Sequence, residues 1–108
     1  MSIAVTYLYF PGCPSHEEGL RRLHAAADVA DIAISVTPRV IHTDDEAHAT
    51  GFVGSPTYII EGRDLVAPTP HMAFRADACR TYVQPDGRQG PLPSVGQIRD
   101  GLTTALAP

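Results

Sequence analysis

Along residues 3–10 the apolar side chains follow one another almost without polar interruption: Ile3, Val5, Tyr7, Leu8, Tyr9 and Phe10. A β-branched and aromatic run of strand length that lacks alternation is the pattern of a strand covered on both faces, so this stretch predicts a central strand. Pro11-Gly12 breaks it. From Ser15 to about Ala30 the period becomes helical, with Leu20, Leu23 and Ala27 on one face and Pro14 at the expected first helical position, where a missing N–H costs nothing. Glu17 and Glu18 suit the first turn of the dipole, and Arg21 and Arg22 follow them at i+4, so that side, His24 included, is expected in solvent.

Ile32 to Val36 predicts a second strand, resuming at Arg39-Val40-Ile41 after Pro38. Proline cannot donate to a ladder, so Pro38 implies an edge position or a break. Thr43-Asp44-Asp45-Glu46 is a capping box and predicts a short helix to about Thr50. Tyr58-Ile59-Ile60 is a third strand, and Glu61-Gly62-Arg63-Asp64 is a turn into Leu65-Val66-Ala67, the pair reading as an antiparallel hairpin. A last helix follows from the Ser94/Gln97 capping box, with Ile98, Leu102 and Leu106 at i+4. The order is βαβα-ββα, which implies an α/β fold with a mixed sheet and helices on both faces, one domain over residues 1–108. His71 to Tyr82 fits either a helix or an extra strand, and Gln84 to Pro93 is rich in turn formers such as Pro85-Asp86-Gly87.

Composition narrows the function classes. With 44% hydrophobic and 19% charged residues the chain reads as an ordered globule. All eight basic residues are scattered arginines against twelve acids, a net charge of −4, so there is no electrostatic footprint for nucleic acid. No apolar run approaches the roughly 20 residues that span a bilayer, and the N-terminus lacks a signal-peptide pattern, so no membrane association and a cytoplasmic location are expected. His42 and His48, six residues apart across a helix start, share no face and read as solvated surface rather than metal ligands. No acid pair, Ser/His/Asp set or phosphate-cradling glycine loop stands out, and no cofactor is expected. Tyr7, Tyr9 and Tyr58 read as core or groove residues, Tyr82 is open, and the oligomeric state is not fixed by the sequence.

The chemistry then centres on Cys13. A thiol at a helix start meets unpaired N–H groups and the positive end of the dipole, which favour the thiolate nucleophile. His16, three residues on, falls on the same face of the first turn and is a candidate to add charge or accept the thiol proton. The competing reading is a small, buried apolar residue at a strand end. Cys13 and Cys79 are too few for a disulfide framework, and in a reducing compartment such a pair points to catalysis, redox sensing or metal binding.

Together the element order, the cysteine before the first helix and Ser55-Pro56-Thr57 before the third strand resemble the thioredoxin-like superfamily over nearly the whole chain. More narrowly, Tyr9-Phe10-Pro11-Gly12-Cys13-Pro14, Gly54-Ser55-Pro56-Thr57 and Ala78-Cys79-Arg80-Thr81-Tyr82 with Gly87 resemble a small bacterial group, often labelled alkylmercury-lyase-like, in which some relatives carry selenocysteine at the position of Cys13. The resemblance implies a cis bond before Pro56, packed beside the thiol, and a Ser55 backbone free to pair with an extended substrate. The chain departs from dithiol thioredoxins in having His16 where their second cysteine stands, so the usual disulfide cannot form. Cys13 is then either a monothiol or is resolved by Cys79; the alternative for Cys79 is a buried core thiol too far away to be bridged. Adjacent Arg80 would favour a thiolate there.

These readings give Cys13, His16 and Cys79 as candidate catalytic residues and Pro14, Ser55, Pro56 and Arg80 as candidate substrate-binding residues of a thiol oxidoreductase acting on a thiol, disulfide or peroxide, or on a protein partner. A soft-metal or organomercurial-handling protein using Cys13, His16 and Cys79 is the alternative from a different class. An interaction module with an inert thiol is the third, since fold does not fix function.

Overall fold

The computed structural model describes residues 2–67 and 73–106. Its elements are β1 (Ile3–Tyr9), α1 (His16–Ala30), β2 (Ile34–Val40), α2 (Asp44–Thr50), β3 (Thr57–Ile60), β4 (Arg63–Asp64), β5 (Tyr82–Val83), β6 (Gln89–Gly90) and α3 (Val95–Leu106). β1 is central, as its uninterrupted apolar run requires. The sheet order is β2-β1-β3-β4, with β2 parallel to β1 and both β3 and β4 antiparallel to their neighbours.

Side-chain alternation along β1 divides the core in two. Val5 and Tyr7 face α1 and α3, meeting Leu23, Ala26, Ala27, Ile98 and Leu102. Leu8 faces the opposite way, toward Ile41, Ala47 and Phe52 around α2. Helices therefore cover both faces. β2 runs unbroken through Pro38, which pairs with Tyr7 in register; an edge strand tolerates it because the missing N–H can face outward.

The α3 capping box closes in both directions, and the α2 cap closes through the residue before it, with Glu46 Oε1 accepting from His42 N–H at 3.2 Å. Glu46 N–H donates to Thr43 Oγ1 at 3.1 Å, while Gln97 N–H donates to Ser94 Oγ at 3.1 Å and Ser94 N–H to Gln97 Oε1 at 2.8 Å. Asp31 and Gly51, with φ of 55° and 80°, end α1 and α2 in the left-handed conformation common at helix C-termini.

Four expectations need correction. α1 begins at His16, so Pro14 lies ahead of the helix in an exposed turn; the Cys13 N–H is spent on Phe10 O at 3.1 Å, and the first helical bond runs from Gly19 N to Ser15 O at 2.9 Å. Arg63 and Asp64 are strand rather than turn, because Glu61 and Gly62 alone reverse the chain, both with positive φ, as a two-residue hairpin requires. Leu65-Val66-Ala67 is accordingly not a ladder strand. Leu106, third in the i+4 series, is 57% exposed, at the last residue of α3.

The open segment proves to be neither helix nor full strand where it is described; His71 and Met72 lie outside the described residues. Its ordered parts are a single parallel bridge between Cys79 and Ser55, then the β5–β6 hairpin around Pro85-Asp86-Gly87. That turn is closed by Gly87 N–H to Gln84 O at 2.9 Å and Arg88 N–H to Asp86 Oδ1 at 3.0 Å. No described helix is long and apolar enough to cross a membrane.

Candidate functional site

The site lies where the chain leaves β1 for α1 and where it enters β3. Cys13, 3% exposed, ends the Phe10–Cys13 turn. Its thiol donates toward Ser55 O at a sulfur–oxygen distance of 3.8 Å. Ser55 and Pro56 are joined by a cis peptide bond, and Thr57 Oγ1 fastens this loop by donating to Gly54 O at 2.6 Å. Cys13, Ser55 and Pro56 are thus brought together.

Three buried tyrosines hold this arrangement from below. Tyr7 OH donates to His16 O, Tyr58 OH to Gly19 O at 2.8 Å, and Tyr82 OH to Pro56 O at 2.6 Å. The first two tie the opening turn of α1 to the sheet, and the third ties down the proline. Burial pushes all three phenols well above their ordinary values, so they stay protonated and serve as donors. Gly19 is the matching gap on α1: a Cβ there would stand 2.5 Å from Tyr7 Oη and 2.9 Å from Pro56 Cγ.

The His16 ring stacks on Tyr9, with centroids 4.8 Å apart and planes at 19°, and makes no hydrogen bond to Cys13 among the described residues. Cys79 is exposed, which removes the reading of a buried core thiol, and both cysteines are free thiols. The bridge to Ser55 brings its backbone to the loop that carries Pro56. Among the described residues no three His, Cys, Asp or Glu side chains converge as metal ligands, so Cys13, His16 and Cys79 do not form a preassembled soft-metal set.

Two expectations fail here. Arg80 does not reach toward substrate: it is 2% exposed and points inward, as the residue next to an outward-facing one on an extended segment must. Its guanidinium donates to Asp64 Oδ2 at 2.7 Å and Val66 O at 2.6 Å, and lies 4.2 Å from the centre of the Tyr82 ring. Burial pushes the Asp64 carboxyl up; Arg80 and the Val66 N–H pull it down without cancelling the burial. The Ser55 backbone is not free either, because its N–H donates to Ala78 O at 2.9 Å and its carbonyl accepts from Arg80 N at 3.2 Å.

Tyr82, left open by the sequence, anchors Pro56, while Asp64 and Gly19 shape the site without having been singled out. Only Gly19 carried a signal, since glycine inside a helix costs about 1 kcal/mol against alanine and implies a packing reason. No protein-family model, curated protein or solved structure matches this chain.

Proposed function

We propose that the chain is a thioredoxin-like thiol oxidoreductase with Cys13 as its nucleophile. The sheet order, with one parallel and two antiparallel neighbours, and a cysteine between β1 and α1 support the fold reading. The observation that carries the functional one is the Cys13 thiol 3.8 Å from the carbonyl of Ser55, the residue joined by a cis bond to Pro56. Two distant segments have converged on one sulfur at a place where tyrosine hydroxyls fix both backbones.

In the proposed step the Cys13 thiol gives its proton to solvent and the thiolate attacks one sulfur of a disulfide RSSR. The S–S bond breaks, RS⁻ leaves and takes up a proton, and Cys13 is left as a mixed disulfide. The Cys79 thiolate then attacks the Cys13 sulfur, releasing R as RSH and leaving a Cys13–Cys79 disulfide that two equivalents of external thiol reduce. Without Cys79, an external thiolate R′S⁻ attacks the sulfur of R, forming RSSR′ and releasing the Cys13 thiolate. His16 offers no second sulfur for this step.

Incubation of the folded protein with bis(2-hydroxyethyl) disulfide, followed by peptide mass spectrometry, tests the reading. A mixed disulfide on Cys13, or a Cys13–Cys79 disulfide formed from it, is expected, and Cys13→Ser abolishes both. Modification confined to Cys79 would refute Cys13 as the nucleophile.

A further inference from the structure

Ser55 is fully buried although it stands in a loop beside the candidate nucleophile, and what covers it is the chain itself. Both backbone groups of Ser55 are spent on the segment Ala78–Arg80, by the two hydrogen bonds given above. The approach is close: Gly54 has φ +133°, and a Cβ there would lie 2.7 Å from Arg80 Cα and 2.7 Å from Arg80 N. Ser55 O therefore faces the Cys13 thiol and the Arg80 N–H together. Any extended chain that paired with Ser55 to lie beside Cys13 would have to take these two bonds from residues 78–80.

Within the segment itself Arg80 is the side chain that goes inward, while Asp44 Oδ1, accepting from Ala76 N–H at 2.8 Å, and Tyr82 OH, donating to Pro56 O at 2.6 Å, fix the chain on either side of it. The Ser55–Cys79 pairing is a lone bridge rather than a strand ladder, and Arg80 is the residue that goes inward, onto Asp64 and Val66 O. The Arg80–Asp64 pair is shielded, with the two side chains 1% and 11% exposed, so solvent weakens it little. Removing one partner from a buried pair leaves an uncompensated group, so loss of the Arg80–Asp64 contact loosens the segment more than loss of an exposed one would.

We propose that Ala78–Arg80 is a strap, latched by Arg80 and Asp64, that occupies the peptide-pairing edge of Ser55 and restricts Cys13 to low-molecular-weight disulfides. This rests on Cys13 being the nucleophile. A small disulfide needs no hydrogen bond from Ser55 and reacts with the strap in place; a polypeptide disulfide competes with it. Asp64 and Arg80 are positioning residues, acting on selectivity through the strap.

Two probes test this in a Cys79→Ser background: bis(2-hydroxyethyl) disulfide, and the mixed disulfide of 2-mercaptoethanol with an extended cysteine-containing peptide, the latter scored only by the peptide adduct on Cys13, so that 2-mercaptoethanol is the leaving group in both. Loss of two backbone hydrogen bonds predicts that the peptide probe modifies Cys13 at least about tenfold more slowly than the small one. Asp64→Asn, and independently Arg80→Lys, narrow that gap by speeding the peptide probe, whereas a merely structural change would move both rates together. Amide exchange at positions 79–81 in the folded variants rises in parallel. Equal rates for the two probes in the Cys79→Ser protein overturn the strap while leaving Cys13 as nucleophile, and this comparison requires neither latch variant to fold. Reaction of neither probe with folded protein refutes the nucleophile itself and the selectivity with it.

Discussion

Gly19→Ala sets two physical effects of opposite sign against each other. Helix propensity alone favours alanine by about 1 kcal/mol inside a helix. The structure opposes it, because the new Cβ would stand 2.5 Å from Tyr7 Oη, 2.9 Å from Pro56 Cγ and 3.1 Å from Leu92 Cδ2. Tyr7 is 1% exposed and its hydroxyl is committed to His16 O, so its oxygen cannot simply swing away. Overpacking a filled core costs about 1–3 kcal/mol, and displacing the Tyr7 hydrogen bond about 1 kcal/mol more. Packing should win by about 1–3 kcal/mol, a fall in Tm of roughly 4–15 °C for a domain of this size. Urea and thermal unfolding of the two proteins measure it, with Cys13 alkylation as a second readout because Pro56 must shift. A variant as stable as the parent, or more so, would refute the close approach of α1 to Tyr7 and Pro56.

Other substitutions separate the remaining contributions. Tyr82→Phe removes the hydroxyl from Pro56 O and should cost about 1–3 kcal/mol in urea unfolding, since a buried carbonyl loses its donor. Leu102→Ala should cost about 2–5 kcal/mol, and Leu106→Ala, at an exposed position, less than about 0.5 kcal/mol; comparable losses would contradict the observed end of the core. Ser94→Ala should cost about 1 kcal/mol by opening the α3 capping box, measured the same way. The raised Asp64 carboxyl also gives a signed pH effect. Between its ordinary value of 3.8 and the higher folded value, the native state binds more protons than the unfolded one, so this group's share of stability falls as pH rises through that window. Asp64→Asn should remove that slope from the pH dependence of stability; an unchanged slope would mean that Asp64 does not titrate there.

The elements with local causes were legible in the sequence. The unbroken apolar run made β1 central, and Thr43/Glu46 and Ser94/Gln97 marked two helix starts through bonds between residues three apart. Cys13 was visible as a thiol at a break before a helix, and Ser55-Pro56 as a turn before a strand. Local pattern was weaker at ends: Pro14 carried the helix-start signal but lies in the turn ahead of α1, and Leu106 kept the period yet is exposed at the end of α3.

What only the tertiary structure decided is which groups those residues meet. Arg80 stands beside Cys79 in sequence, yet an extended backbone sends neighbours to opposite sides, so its charge went to Asp64 sixteen residues away. Tyr82 OH reaches Pro56 O across twenty-six residues, and Ser55 lost its free backbone to Ala78 and Arg80. None of these pairings has a period or a spacing, because each is set by the folding of a segment without regular structure onto the sheet. The sequence by itself therefore determined β1, both capped helix starts and the place of Cys13 before α1; the surroundings of Cys13 and the β5–β6 hairpin were decided by long-range hydrogen bonds and one buried ion pair, which become favourable only once the core has excluded water.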